Sequence, residues 1–488
     1  MSDAMKMKSH SGPQGGGPLR DQMLAVLGPR GIVDDPLQIE SMTKSWRDSW
    51  ESIPLLVVQP QSAEEVQAVV RICAALGVSL VAQGGNTGLT GAGLPSADRN
   101  EVLLSLRRMN RTRSIDLDSD TMVVEAGCIL EDVRNAARAA GRLFPLLLGA
   151  QGSCTIGGNI ATNAGGINAL RYGPMRDLVM GLEVVLADGR LWDGLKSLRK
   201  DNAGYDLKHL FIGSEGTLGI VTAAVLKLST LPRSSGTALV GLDNPEAGLA
   251  WFRRLRTRFS EQLTACELIE RVCIDTARKH IPNVVDPLDG RYPWYVLAEI
   301  ATAEERADLE GPIGEAFAAA LDAGEVSDGV IASSITQSNE LWRLREAIPD
   351  AQRQEGVSFK HDISVPVSKV PEFIRVANEK LSAAFPGIRS FAFGHLGDGN
   401  IHFNPLQAAG EAASLWKSRL DEANRITHDV AVALGGSITA EHGVGLLRRE
   451  ELSFYKPSVD LDLMRSLKRA LDPYNLFNPG KVLSKWPT

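Results

Sequence analysis

The segment LLLGAQGSCTIGGNIATNAGGINALRYG, residues 146–173, carries seven glycines among small polar residues. So many residues without side chains lose considerable backbone entropy on folding and add little to a packed core. They suit a place where peptide N–H groups close tightly around an anion such as a pyrophosphate. The segment therefore predicts a phosphate-binding loop.

Two more glycine-rich segments flank this one. GGNTGLTGAG (84–93) follows a strand–helix–strand pattern, and GSEGTLGIVT (213–222) has the same character. The first lacks the Gly-Lys-Ser/Thr of a P-loop, and it does not open a clear helix as a dinucleotide fingerprint would. Alone, such a loop is a structural turn about as often as a ligand site. Together, the three segments favour nucleotide binding.

Composition limits the class of protein. The chain has 488 residues, of which 44% are hydrophobic and 23% charged, as in soluble globular proteins of about two to four domains. Its net charge is −7 and it has no basic block, which argues against nucleic acid as a partner. No apolar run is long enough to span a bilayer, and five scattered cysteines fit a reducing compartment.

The pattern of helical and strand-like segments predicts an α+β protein in several parts. Residues 1–40 are expected to be a largely disordered or irregular tail, without a signal peptide, on a cytoplasmic protein. Residues 41–235 form a first unit, and residues 236–435 a second unit whose antiparallel sheet is covered by helices. Residues 436–488 are expected to pack back on the first unit.

A second motif, GHLGDGNIHFN (394–404), places two histidines around a glycine-rich turn. Three glycines make a helix improbable, so a hairpin is predicted that brings His395 and His402 close together. The alternative is a pair of histidines that only hydrogen-bond at a strand end. Glu441 and His442, in the glycine-bordered segment TAEHGVG, favour a metal site, since one can be a ligand and the other a base.

These motifs resemble a known family. QGGNTG, GSCTIGGNIATNAGG, RYG and IGSEGTLGIVT are similar to the two-part FAD-binding domain of the vanillyl-alcohol-oxidase/p-cresol-methylhydroxylase flavoproteins. GHLGDGNIH, AEHGVG and FNPGK resemble the D-2-hydroxyacid dehydrogenase branch, which includes D-2-hydroxyglutarate and D-lactate dehydrogenases. The resemblance covers roughly residues 40–483 and keeps the motifs in the same order.

The resemblance implies non-covalent FAD, with Cys154 as the alternative for a covalent thioether. It carries over these cofactor-binding residues: Gly84, Gly85, Asn86, Thr87, Gly88, Pro145, Gly149, Ser153, Gly157, Gly158, Asn163, Gly165, Glu215, Ile220, Asn478 and Lys481.

The resemblance also implies the roles of the reacting groups. His395, His402 and Glu441 would bind a divalent metal, usually zinc, and His442 would be the catalytic base. Arg345, Lys360 and Asn404 would bind substrate, although Arg345 and Lys360 read from the sequence alone are more often solvated surface cations. Pro349 stands where a substrate-binding hydroxyl is expected one turn after Arg345, which weakens D-2-hydroxyglutarate against D-lactate or another short acid.

The implied electron acceptor is soluble, with an electron-transfer flavoprotein as the family's example, and a homodimer is an open possibility. Three alternatives remain at this point. An oxidase that reduces oxygen would have the same motifs. A non-redox FAD-containing transferase of the same fold would share the glycine loops. A catalytically silent flavin-binding protein would bind FAD and lack turnover.

Overall fold

The structure is a computed structural model that describes residues 17–45, 50, 52–97 and 100–484. No helix within these ranges is both long and apolar enough to cross a membrane.

The chain enters through two short helices, each with a proline at its first position, which suits a helix start because proline has no N–H to leave unpaired. Met23 and Leu27 of the first helix are buried in the core of the following sheet. The prediction of a disordered or irregular segment is therefore wrong for residues 17–40, and its part at residues 1–16 lies outside the described residues. The helices are α1 (Pro18–Leu27) and α2 (Pro36–Thr43).

A small parallel sheet follows, with strand order β1-β3-β2. Its helix begins at Ser62, whose hydroxyl accepts a hydrogen bond from the Glu65 N–H at 3.3 Å. The segment after the second strand, 84–93, forms turns rather than a helix, as predicted. The elements are β1 (Leu56–Val58), α3 (Ala63–Leu76), β2 (Ser79–Gln83) and β3 (Glu101–Ser105).

A five-stranded antiparallel sheet completes the first unit, in the order β4-β5-β9-β7-β8. The long glycine segment runs across it and contributes the short helix α5, while β6 and β10 pair separately. The elements are β4 (Thr112–Asp116), β5 (Thr121–Glu125), α4 (Leu130–Ala139), β6 (Arg142–Leu143), α5 (Ile156–Thr162), α6 (Ala169–Tyr172), α7 (Met175–Leu178), β7 (Val179–Val185), β8 (Leu191–Gly194), α8 (Lys208–Phe211), β9 (Ile220–Lys227) and β10 (Ser229–Thr230).

The second unit is a seven-stranded antiparallel sheet with helices packed on it, which confirms the α+β prediction. Its order is β14-β11-β13-β12-β16-β17-β15. The elements are β11 (Ser234–Leu242), α9 (Pro245–Phe259), β12 (Leu263–Glu270), α10 (Arg271–His280), β13 (Trp294–Thr302), α11 (Glu310–Asp322), β14 (Asp328–Ile331), α12 (Ile335–Glu346), α13 (Ile348–Glu355), β15 (His361–Ser364), α14 (Val370–Ala384), β16 (Ala392–His395), β17 (Asn400–Phe403), α15 (Ala413–Ser418) and α16 (Leu420–Ala433).

The C-terminal part contacts the first unit through its last turns. The backbone N–H of Asn478 donates to the Leu80 carbonyl at 2.8 Å, and the Lys468 ammonium donates to the Thr217 carbonyl at 2.8 Å. These bonds place the FNPGK segment beside β2 and the third glycine segment. The two helices of this part are α17 (Arg449–Tyr455) and α18 (Ser458–Leu471).

Candidate active site

A cavity of about 350 Å³ lies where the three glycine segments meet. Most of the predicted cofactor residues line it, together with Cys154 and two residues of the C-terminal part, Glu441 and His442. The predicted residues among them are Gly84, Gly85, Asn86, Thr87, Gly88, Gly149, Gly157, Gly158, Gly165, Glu215, Ile220 and Asn478.

The glycines let the first two segments touch each other. A Cβ on Gly85 would stand 2.0 Å from the carbonyl oxygen of Ser153, and one on Gly84 would stand 2.2 Å from Oγ1 of Thr155. Neither contact is sterically possible, so the loops come together only because these residues lack side chains. Backbone atoms rather than side chains therefore form this wall.

The same loops leave space elsewhere. A Cβ on Gly88 or Gly149 would meet no described atom within 4 Å, although both residues line the cavity. A wall of small residues and peptide groups with open space in front of it fits the pyrophosphate of a dinucleotide. The residues present thus fit FAD.

Four predicted cofactor residues are not among the described residues that line this cavity: Pro145, Ser153, Asn163 and Lys481. Three of them contact neighbouring parts of the glycine segments through hydrogen bonds or close backbone packing. The Pro145 carbonyl accepts from Asn168 at 2.9 Å, the Asn163 side chain accepts from the Arg176 N–H at 2.9 Å, and the Ser153 carbonyl faces Gly85. The ammonium of Lys481 lies 3.7 Å from the Glu101 carboxylate, and Lys481 lines a separate cavity.

Glu215 connects the cofactor cavity to the C-terminal part of the chain. Its two carboxylate oxygens accept hydrogen bonds from the N–H groups of Val444 and Gly445, each at 2.7 Å. Burial raises the pKa of Glu215 to about 7, against the lowering effect of these donors. Glu215 thus holds the AEHGVG loop against the cavity.

The predicted hairpin is confirmed: β16 and β17 pair around a turn at 396–399. It brings the imidazole rings of His395 and His402 to 5.7 Å between centroids. Glu441 completes a group whose ligand atoms all lie within 4.8 Å of one another. Nε2 of His395 is 3.9 Å from Glu441 Oε1. Two imidazoles and a carboxylate suit a first-row dication with an open position.

This group borders the cofactor cavity. A Cβ on Gly165, in the long glycine segment, would stand 2.7 Å from Oε1 of Glu441. Burial raises the pKa of Glu441, and the balance between His395, which lowers it, and the Asp362 and Asp398 carboxylates, which raise it, leaves it at about 7. A buried carboxylate is costly in free energy without a partner, so a neighbouring cation stabilises its ionised form strongly.

Glu267, on β12, holds two predicted site residues at once. One carboxylate oxygen lies 2.5 Å from Nδ1 of His395, and the other accepts from Nε of Arg345 at 2.7 Å. Burial raises the pKa of Glu267, but His395 and Arg345 outweigh burial and lower it to about 2. Burial lowers the pKa of His395, and the Glu267 charge more than reverses this, raising it to about 9.

Asp362, on β15, lies behind the other two histidines. Its carboxylate accepts from the N–H groups of Glu441 and His442 at 2.9 and 3.0 Å, and from the Asn400 side chain at 2.9 Å. The same carboxylate is 3.5 Å from Nδ1 of His402 and 3.4 Å from Nδ1 of His442. It holds both backbone positions by hydrogen bonds and lies within ion-pair distance of both rings.

Asp362, Glu441 and His442 form a second group with metal-binding spacing among the described residues. The Asp362 carboxylate already accepts three N–H groups there, whereas His402 has its pKa lowered to about 3 by burial and so carries a neutral ring. A neutral imidazole offers a ring nitrogen to a cation, whereas most acceptor positions of this carboxylate are already occupied. The group of His395, His402 and Glu441 therefore fits a metal better.

A smaller cavity of about 50 Å³ adjoins the metal-binding group. Lys360, Asn404, His402 and His442 line it, so three of the predicted substrate and catalytic residues meet beside His402. Arg345 is buried, is not among the described lining residues, and lies behind His395 with its guanidinium 4.8 Å from the centre of the Phe393 ring.

Sequence reasoning missed Glu267 and Asp362. Each had a weak signal, since Glu267 is an acidic residue inside the apolar strand LTACELIE, and Asp362 lies in FKHDISVP beside Lys360. A carboxylate in a buried strand needs a cationic or N–H partner, and both of these have one.

Comparison with known proteins agrees with the fold and with the binding of FAD. The family model for FAD linked oxidases, C-terminal domain, matches residues 231–482, and the model for the FAD binding domain matches residues 54–194. A probable mitochondrial D-2-hydroxyglutarate dehydrogenase of Oryza sativa subsp. indica is 38% identical over 461 residues, covering 94% of this chain and 80% of the relative. The D-2-hydroxyglutarate dehydrogenase of Xanthomonas citri pv. viticola is 38% identical over 451 residues, covering 92% and 94%.

Among solved structures, p-cresol methylhydroxylase with substrate bound superposes with a TM-score of 0.74 at 16% identity, over 95% of each chain. That likeness concerns the fold alone. The family models and the two relatives show the family. The chain belongs to the FAD-linked oxidase family and has the vanillyl-alcohol-oxidase/p-cresol-methylhydroxylase fold, and it is an FAD-binding oxidoreductase related to the D-2-hydroxyglutarate dehydrogenases.

Proposed function

We propose that the protein oxidises a D-2-hydroxyacid to the 2-oxoacid, with D-2-hydroxyglutarate as the first candidate and D-lactate as the alternative. The observation that carries this proposal is the position of Glu441 and His442, which lie in the wall of the cofactor cavity. A base and a metal-binding carboxylate in this wall would contact a substrate that binds beside the cofactor. FAD supplies the redox chemistry when bound, because its ring accepts the hydride of an oxidised C–H bond.

His395, His402 and Glu441 would hold a divalent metal, with zinc as the first candidate. A cation at this position supplies Lewis acidity, which lowers the pKa of a coordinated alcohol. Two carboxylates lie behind the ligand histidines: Glu267 contacts Nδ1 of His395, and Asp362 faces Nδ1 of His402. Carboxylates behind ligand histidines fix the ring orientation and raise the basicity of the donor nitrogen.

His442 is the proposed base, and it would take the hydroxyl proton of the substrate. It lines both the cofactor cavity and the smaller cavity beside it. Asp362 holds its backbone N–H and faces Nδ1, so the carboxylate would stabilise the imidazolium that forms. General-base help of this kind is typically worth about 10² to 10⁴ in rate.

Lys360 and Asn404 would bind the carboxylate of the substrate that lies away from the reacting carbon. Both line the smaller cavity together with His442. An ammonium and an amide N–H there favour a substrate with a second carboxylate, in spite of the missing hydroxyl at Pro349. Arg345 would act from behind His395, because Glu267 holds its Nε.

The electrons must then leave the flavin, and we propose a soluble protein acceptor such as an electron-transfer flavoprotein, in a cytoplasmic enzyme. Oxygen is the alternative acceptor. Oxygen uptake equal to substrate turnover would identify an oxidase, while turnover with an electron-transfer flavoprotein or an artificial dye and no oxygen uptake would identify a dehydrogenase.

The decisive experiment is anaerobic bleaching of the bound flavin across a panel of D-2-hydroxyglutarate, D-malate and D-lactate, with the L-acids as controls. We expect bleaching by D-acids, fastest with a dicarboxylate. A flavin that no D-2-hydroxyacid bleaches would contradict the proposal and favour the transferase or the silent flavin-binding protein. The variant His442→Ala separates reaction from binding, because it should keep the flavin and lose bleaching.

A further inference from the structure

Gln352 is a buried polar residue on a helix that otherwise presents apolar side chains to the core. The buried residues of α13 are Ile348, Ala351 and Gln352, and Gln352 is 1% exposed. It lies seven residues after Arg345, a spacing of about two helical turns, and three after Pro349. A buried amide needs hydrogen-bond partners, and its partners here are in the substrate site.

The Gln352 amide contacts two predicted substrate-binding residues. Its Oε1 accepts from the Lys360 ammonium and also from Nδ2 of Asn404 at 3.2 Å. Its Nε2 donates to the backbone carbonyl of Asn404 at 3.0 Å. One neutral side chain thus connects α13 to the residue before β15 and to the residue after β17.

The other side of Asn404 is held as well. Its Oδ1 accepts from the backbone N–H of His361 at 3.0 Å, so the amide is fixed from two directions. Lys360, by contrast, has a long flexible side chain whose ammonium has to be kept in one place to recognise an anion. Ordering such a chain before binding reduces the entropy lost when the substrate arrives.

We propose that Gln352 is a positioning residue that sets selectivity for dicarboxylic D-2-hydroxyacids, by holding Lys360 and Asn404 at the end of the site that receives the second carboxylate. This rests on the proposed function. The neutral amide orients the ammonium without adding negative charge, so the charge stays available to the substrate.

The informative variant is Gln352→Glu, which keeps the size and adds a carboxylate against Lys360. We expect KM for D-2-hydroxyglutarate to rise by roughly tenfold or more, since one charge-assisted contact is lost, while kcat/KM for D-lactate stays within about twofold. Gln407→Glu is the matched control. The Gln407 side chain accepts a hydrogen bond from the Val357 N–H and donates one to the Glu411 carbonyl, outside the lining of the smaller cavity, and its variant should leave the selectivity unchanged.

Two further variants keep the test decisive. Gln352→Leu removes the amide without adding charge and should also lower the preference for the dicarboxylate, so it replaces Gln352→Glu should that variant fold poorly, as judged by flavin content. In a Lys360→Ala background, Gln352→Leu should cause a smaller loss of selectivity than in the wild type, because the contact with Lys360 is already absent and only the contacts with Asn404 remain to be lost.

The outcomes separate the two claims. A merely structural role for Gln352 predicts equal losses with D-2-hydroxyglutarate and D-lactate, or additive effects with Lys360→Ala, and either result overturns the inference. A wild-type enzyme that oxidises no D-2-hydroxyacid overturns the proposed function instead.

Discussion

Oδ2 of Asp362 lies 3.4 Å from Nδ1 of His442, and Oδ1 of the same carboxylate lies 3.5 Å from Nδ1 of His402. One buried side chain therefore controls the proposed base and a proposed metal ligand together. Burial raises the pKa of Asp362, but the two histidines and the donating N–H groups outweigh it and hold that pKa well below its usual range. Asp362 stays a carboxylate throughout the working pH range.

The variant Asp362→Asn keeps the size and removes this charge. We expect kcat to fall roughly 10- to 100-fold, because both rings lose the carboxylate that orients them, while the flavin remains bound. Steady-state kinetics with flavin absorbance checks this. Asp462→Asn, an exposed carboxylate on α18, is the control. An unchanged kcat would show that the two rings do not depend on Asp362.

Removing the metal should stop turnover without releasing the flavin. Of the three proposed ligands, His395, His402 and Glu441, only Glu441 is among the described residues that line the cofactor cavity, and the glycine segments form most of its wall. Treatment with a chelator, followed by metal analysis and activity assays, should give flavin-loaded protein whose activity returns on adding zinc or another dication. Full activity in metal-free protein would exclude the proposed role of these three residues.

Two glycine variants separate the fold from cofactor binding. Gly85→Ala forces a Cβ toward the Ser153 carbonyl, 2.0 Å away, so we expect it to destabilise the protein with or without FAD. Gly88→Ala places its Cβ in open space of the cavity and should weaken FAD binding while leaving the stability of the apoprotein unchanged. Thermal unfolding of apo and FAD-loaded forms distinguishes these results. Equal behaviour of the two variants would contradict the described packing.

The features that the sequence predicted correctly depend on residues close together along the chain. The hairpin at 394–404 follows from three glycines within a few residues, and the loops around FAD follow from the glycine segments themselves. Glu267 was not predictable in this way, because it meets His395 from 128 residues away, through the pairing of β12 with β16. Register between distant strands depends on how the whole sheet assembles, which no local pattern records.

The N-terminal helices were missed for a different reason. Pro18 and Pro36 each occupy a helix start, and Asp35 caps the second helix by accepting from the Leu37 N–H at 3.0 Å. These signals were present in the sequence, but the glycine-rich opening and the low number of apolar residues outweighed them in the prediction. The apolar contacts of Met23 and Leu27 with the first sheet decide the structure.

Glu270 should make stability depend on pH. Burial raises its pKa to about 7, in spite of hydrogen bonds from the Ser390 hydroxyl and the Ala392 N–H. A carboxyl with a raised folded-state pKa stabilises below its unfolded pKa of about 4.3, and this contribution is lost as the pH rises through the folded value. The Glu270→Gln side chain does not ionise, so the variant does not lose this stability as the pH rises, and its amide oxygen can accept the same hydrogen bonds from Ser390 and Ala392.

We therefore expect the difference in Tm, variant minus wild type, to increase between pH 5 and pH 8, by roughly 1 °C for each kcal/mol that the wild type loses in a chain of this length. Thermal unfolding at a series of pH values checks this, with Glu246→Gln on the exposed first turn of α9 as the control. A difference that stays flat over this range would mean that Glu270 is ionised in the folded protein at low pH.

Glu267→Gln tests how far the site depends on one buried carboxylate. The substitution leaves the Arg345 guanidinium buried without its counter-charge, and it keeps only one acceptor oxygen for the two groups that face the carboxylate, Nε of Arg345 and Nδ1 of His395. Breaking a buried ion pair in this way costs about 3–5 kcal/mol of unfolding free energy, and losing a carboxylate behind a ligand histidine costs roughly 10- to 100-fold in metal affinity. Denaturant unfolding of the metal-free protein measures the first effect, and metal titration measures the second.

Glu299→Gln is the matched control, since Glu299 lies on the neighbouring strand β13 and accepts from the Trp342 indole rather than from a cation. If Glu267→Gln behaves like Glu299→Gln in both measurements, the charge at position 267 supports neither the fold nor the metal, and His395 would have to be oriented by the hairpin alone.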